Sequence, residues 1–327
     1  MAFYARHPRF TISLLALIFI SLLLFANSGN HDSLMQSWSS RQNRALADSL
    51  RVEELHYKKM LHQRNNLIKQ WGPTPDKIDP FPSHGEFYTL WDFFLPSYRC
   101  PHRVERIGIM GDGGKWVCGL ECIVPKKKCV IYSFGINGES SFEADLMKAA
   151  PGCEAYGYDF SVQSFGPEIE QDSDLKRRAH FFPFALGPKD AYSPVNDPKM
   201  YTLRTLMERN GHDFIDVLKV DIEGNEYDAL QVFIDSFKGE PLPLGQLQLE
   251  VHVYGDGSLV HDFPRFLKWW EKLEAAGLRP FFSEPNLVYV NLIRGANPGL
   301  IEYSFLNIRG HHELVSDQPV IRSRISH

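Results

Sequence analysis

The stretch IDVLKVDIEGNE, Ile215 to Glu226, carries the reading of the fold. Ile215, Val217, Leu218 and Val220 make a short apolar run of strand-forming residues, and Lys219, Asp221, Glu223 and Glu226 crowd its exit. The residues that follow, 225–237, have the spacing of an amphipathic helix, so the stretch is a strand turning into a helix. The same unit repeats outward in both directions. Runs at 129–135, 154–159, 180–185 and 247–253 read as further strands, and 140–150, 202–210 and 263–276 read as helices between them. Such alternation predicts a parallel sheet with right-handed crossovers and helices on both faces. The last apolar runs, 278–283 and 301–308, are placed as a terminal hairpin closing the sheet.

At 327 residues and 43% hydrophobic content the chain can bury one large core with something attached. Its formal net charge of -5 supplies no basic field for a polyanion, so no nucleic-acid partner is expected. Before the core, Arg6, His7 and Arg9 precede an uncharged run over 10–26, and 27–40 carries no Lys or Arg. That pattern predicts a membrane signal-anchor at 10–26 behind a cytosolic tail 1–9, a single-pass type II arrangement with the remainder lumenal or extracellular. Residues 27–82 are then a helical stem and Pro-rich linker, 83–315 the folded domain and 316–327 a tail.

Cys100, Cys118, Cys122, Cys129 and Cys153 are odd in number, so at least one thiol is free while one or two disulfides close short loops. A zinc site from Cys118, Cys122, Cys129 and His102 is the competing arrangement.

In an open α/β sheet a ligand lies beyond the carboxyl ends of the strands. The first run ends in Gly135-Ile136-Asn137-Gly138, whose glycines allow a tight turn and close approach of backbone to a ligand. The second ends in Asp159, at the distance along the chain from which a carboxylate reaches the ribose of a nucleoside cofactor. Asp221 and Glu223 end the fourth, and Glu250 and His252 share one face of the fifth, where an imidazole beside a carboxylate suits a general base.

The block 215–226 resembles the signature of FkbM-type methyltransferases. Together with Gly111-Asp112-Gly113-Gly114-Lys115-Trp116-Val117-Cys118, Tyr132-Ser133-Phe134-Gly135-Ile136, Phe142-Glu143 and Leu249-Glu250-Val251-His252, it is similar to the methyltransferase-like protein 24 family over roughly residues 90–310. The resemblance implies a Rossmann-like class I fold, a mostly parallel seven-stranded sheet, with S-adenosyl-L-methionine as cofactor. It places Phe134, Gly135, Ile136 and Gly138 at the methionine end, Asp159 on the ribose, Phe160 and Ala185 at the adenine, and Asp221 beside them. Two departures stand out: Ser133 occupies a position where many class I enzymes have an acid, and the first loop lacks a fuller G-x-G-x-G. The Gly111–Lys115 loop is either a substrate wall or a plain hairpin turn.

The expected reaction is displacement at a sulfonium methyl by an oxygen nucleophile, with His252 or Asp221 as base and Glu223 beside them. The acceptor, a small molecule or glycan, is not specified. No metal is assigned, a divalent cation on Asp221 and Glu250 being the lesser variant. Two alternatives remain, a type II Golgi glycosyltransferase-like enzyme and a methyltransferase fold that binds without turnover.

Overall fold

A computed structural model describes residues 30–192, 198–253 and 262–316. Its centre is a seven-stranded sheet: β1 (Cys129–Phe134), β2 (Cys153–Tyr158), β3 (Ala179–Phe182), β4 (Ile215–Val220), β5 (Leu244–His252), β6 (Leu278–Pro285) and β7 (Leu300–Asn307). The spatial order is β6-β7-β5-β4-β1-β2-β3. β7 runs antiparallel to both β5 and β6, while β3, β2, β1, β4 and β5 are mutually parallel. This is the mostly parallel seven-stranded sheet expected, with the terminal hairpin inserted so that the last strand lies inside the edge.

Alternation along the strands builds two cores. Tyr132, Phe134, Leu218 and Val220 face one side, where α6 (Leu203–Asn210), α7 (Glu226–Ser236) and α8 (Phe263–Ala275) cover them. Ile131, Val217 and Ala155 face the other, under Phe142, Leu146 and Met147 of α3 (Ser141–Ala149). Every residue of β4 and β5 is buried, as a sheet covered on both faces requires. The expected third strand is split at Pro183: Phe184–Leu186 leaves the main sheet and pairs with Lys199–Tyr201. Pro183 lacks the N–H that would continue the ladder.

Two compact units are distinguished, 1–48 and 49–327. Helix α1 spans Asn30–Trp71. Within the second unit the segment read above as stem and linker is packed: Tyr57, Met60, Ile68 and Ile78 are buried. Arg64 donates to Glu274 of α8 at 2.6 and 3.1 Å and to the Phe93 carbonyl at 2.7 Å, and Tyr57 donates to the same carboxylate.

Disulfides join Cys100 to Cys118 and Cys129 to Cys153, leaving Cys122 outside any disulfide. The zinc set of Cys118, Cys122, Cys129 and His102 is therefore corrected, since two of its sulfurs are spent in separate disulfides.

Among the described residues no helix is long and apolar enough to cross a membrane. This finding overturns the single-pass type II, lumenal or extracellular placement. Residues 10–26, on which the anchor rested, lie outside the described residues.

Candidate functional site

The parallel strands bring four exits to one edge of the sheet. After β1, Gly135 takes φ 80°, and a Cβ there would lie 1.8 Å from the Asp221 carbonyl oxygen. Only glycine lets the β1 and β4 exits close on each other so tightly. Asn137 (φ 46°) and Glu223 (φ 55°), both non-glycine residues with left-handed backbone, flank this contact. Such strain persists where surrounding structure enforces it, and it gathers at functional sites.

Asp159, at the end of β2, organises the first loop. Its Oδ2 accepts from the N–H groups of Ile136 (2.9 Å) and Asn137 (2.8 Å), and its Oδ1 accepts from the Ser161 N–H and hydroxyl, both at 2.7 Å. Burial alone would raise its pKa, but the hydrogen bonds from Asn137, Ser161 and Ile136 outweigh it and hold the carboxyl below its ordinary value.

Ser133, where an acid was expected, is met by one from elsewhere. Its hydroxyl donates to Glu143 in the first turn of α3, and Lys219 Nζ reaches the same oxygen at 3.4 Å while donating to the Gly135 carbonyl at 2.9 Å. This helix carboxylate supports the Gly135 turn through Lys219.

Two cavities open over this edge. One of about 390 Å³ is lined by Gly135, Asp159, Phe160, Ala185 and Asp221 from the expected set, by Leu186 beside Ala185, and by Tyr158, Phe184 and Met200, which carried no recognised motif. Phe160 is 57% exposed, so its ring is available to a flat ligand. Phe134 is fully buried and stacks on Tyr158 beneath the floor. Gly138 borders neither cavity, and Ile136 borders only the second.

The second cavity, about 490 Å³, holds Asp112, Glu139, Lys219, Asp221, Glu223, Glu250 and His252, with Val288, Leu292 and Leu300 as an apolar wall. Asp112 and Gly113 sit in the turn between Val104–Ile107 and Lys115–Cys118, so the glycine-rich loop is both hairpin turn and cavity wall. The cavities share Gly135, Asn137, Asp221 and Glu223.

His252 stands among carboxylates. Its Nε2 is 3.7 Å from Asp221, 3.5 Å from Glu223 and 3.8 Å from Glu250, and its Nδ1 is 3.2 Å from Glu226. Burial disfavours its charge, but Glu226, Glu250 and Asp221 prevail and push its pKa up to about 9. Glu250 is pushed up to about 8 by burial and by Asp221 and Glu302, with Lys115 and His252 opposing. Lys115, itself buried, pairs with Glu302. At neutral pH the imidazole is thus an imidazolium, a poor proton acceptor, and Asp221 is the better placed base.

Glu226, Asn286 and Glu302 escaped the sequence reading as site residues, while Lys115 was read only as part of the glycine-rich loop. Glu226 had the look of a helix-dipole acid, and Asn286 and Glu302 come from the β6–β7 region with no local motif.

A sequence model described as a methyltransferase domain matches residues 51–295. The "probable methyltransferase-like protein 24" of Rattus norvegicus is 30% identical over 144 residues, 42% of this chain and 37% of the relative. That of Homo sapiens is 28% identical over 177 residues, 50% of this chain and 45% of the relative. The chain thus matches less than half the length of these curated relatives, and the resemblance read from the motifs reappears in them. Among solved structures, the Aeropyrum pernix fibrillarin with natively bound S-adenosyl-L-methionine is 13% identical, covering 63% of this chain and 83% of that one at a TM-score of 0.30.

Proposed function

This chain belongs to the methyltransferase-domain family, and on that premise we propose that it transfers a methyl group from S-adenosyl-L-methionine to an oxygen of a small-molecule or glycan acceptor. The observation that carries the reading is the pair of cavities joined at Gly135 and Asp221. Two ligands, one in each, would meet at that junction.

The cofactor suits the first cavity on three counts: a turn at Gly135 where no Cβ fits, a carboxylate at Asp159, and a mostly apolar pocket of the size that small-molecule sites have. Gly135, Asp159, Phe160, Ala185 and Asp221 would hold it, and when bound it supplies an activated methyl on a sulfonium. The chain's own groups do the rest. Asp221 accepts the acceptor's proton, the His252 imidazolium steadies the carboxylates around it, and Val288, Leu292 and Leu300 exclude water from one side.

The test is calorimetric titration of the cofactor into the full chain, with Gly135→Ala and Asp159→Ala in parallel. Binding lost in Gly135→Ala with the fold retained supports the reading; equal binding in all three sinks it. One observation favours binding without turnover. Asp159 already accepts four hydrogen bonds from the protein, so ribose hydroxyls must displace some of them. Tight binding with no methyl transferred to any hydroxyl of an acceptor panel would select that second reading. The glycosyltransferase-like alternative falls with the family membership.

A further inference from the structure

We propose that Asp221, Glu250 and His252 form a binding site for one divalent transition-metal ion, facing the second cavity. One ligand atom from each of Asp221, Glu250 and His252 lies within 4.8 Å of the other two, on the adjacent exits of β4 and β5. The imidazole nitrogen is 3.7 Å from the Asp221 oxygen and 3.8 Å from the Glu250 oxygen, beyond the ordinary hydrogen-bond range. An ion ~2.1 Å from each ligand sets neighbouring ligands roughly 3.0–3.5 Å apart, so the two imidazole distances need contract by only a few tenths of an ångström, and the carboxylates draw together on the ion.

Two further features point to a cation rather than to a chance gathering of acids. Glu250 is 6% exposed at its side chain and aimed into the site. Asn286 Nδ2 donates to its Oε1 at 3.1 Å, whereas its Oε2 takes no hydrogen bond from any described residue. The second is the support behind the imidazole. Glu226 is fully buried and its Oε1 accepts from the His252 backbone N–H at 2.9 Å while lying 3.2 Å from Nδ1. A carboxylate on Nδ1 fixes that nitrogen as the donor and leaves Nε2 facing the cavity, where a bound ion would replace its proton, the arrangement that commonly stands behind a metal-bound histidine.

The donor set, one nitrogen and two carboxylates, suits manganese or zinc better than calcium. Open positions on the ion face the acceptor cavity, where it would bind an acceptor oxygen and lower its pKa. That use of the ion rests on the methyl-transfer reading; its binding does not.

The experiment is a manganese titration of the full chain after chelator treatment, following the free-ion EPR signal, with Asp221→Asn, Glu250→Gln, Glu226→Gln and Glu139→Gln in parallel. Glu139 is the control, an acid of the same cavity outside the triad. The expected result is about one ion per chain, with Glu226→Gln weakening binding about 10–100-fold and the ligand variants at least as much. Glu139→Gln leaves binding unchanged, and near-ultraviolet circular dichroism reports that each variant is folded. No saturable binding overturns the proposal. So does equal loss in Glu139→Gln, or binding unchanged in Asp221→Asn and Glu250→Gln. A cofactor titration on the same samples separates the two ideas: cofactor bound without manganese removes the ion and keeps the methyl-transfer reading, and the reverse does the opposite.

Discussion

Asp216 and Asp221 stand at opposite ends of β4, and their surroundings differ in kind. Asp216 is 5% exposed, accepts from Lys126 Nζ at 2.6 Å and from the Val130 N–H at 2.8 Å, and Lys126 is balanced again by Glu313 at 2.7 Å. The Cys129–Cys153 disulfide joins the first residues of β1 and β2 at the same edge. At the other edge Asp221 shares its space with Glu223 and Glu250, beside two residues of left-handed backbone. One end of the sheet satisfies its charges within the fold, and the other holds charges in excess for something outside it. Stability is thus concentrated at the amino-terminal edge and chemistry at the carboxyl-terminal edge.

This contrast can be broken by substitution. Asp216→Ala leaves Lys126 buried with half its counter-charge and is expected to cost ~3–5 kcal/mol in urea unfolding. A loss under 1 kcal/mol would dissolve the comparison. Replacing both Cys129 and Cys153 by Ala should cost about 3 kcal/mol under the same measurement, from a loop of intermediate length.

At the opposite edge the effect depends on pH. With a chelator present, His252 has its folded pKa raised from 6.5 to about 9, so the stability it adds is full below 6.5 and lost as pH rises through 9. Glu250, raised from 4.5 to about 8, slopes the same way, because the folded state keeps a proton that the unfolded state has released. Thermal melts between pH 6 and 9.5 should show a decline of up to ~3 kcal/mol, flattened in His252→Asn. A flat wild-type profile would mean the carboxylates do not act on the imidazole. The smallest effect is expected at Asp221→Asn, within ~0.5 kcal/mol of wild type, since the repulsion it removes from Glu250 offsets the attraction it removes from the His252 imidazolium. A large loss there would show that Asp221 is structural.

The carboxyl-edge residues were legible because each follows an apolar run: Asp159, Asp221, Glu250 and His252 end their strands, and the sheet topology brings those ends together. Glu302 and Asn286 were not, and the pairing of Lys115 with Glu302 was not, since nothing in a strand pair's own sequence marks which of its charges a distant strand will face. Pro183 was visible, but an apolar run on both sides hid the break. The packing of α1 escaped for a different reason. Its buried positions are Tyr57, Met60, Arg64 and Ile68, spaced as one helical face, and an arginine in that series disguises the stripe. Leu55 on the same helix is 56% exposed, so apolar character alone does not mark the packed face.

The bond between Arg64 and Glu274 has a practical consequence for anyone cutting the gene. A fragment begun after the prolines, near residue 83, discards Arg64 and Tyr57 and strands Glu274 in a dry pocket with Trp270 Nε1 for company at 2.9 Å. A recombinant product trimmed there is expected to come out insoluble or molten, while one begun before residue 49 retains the whole brace.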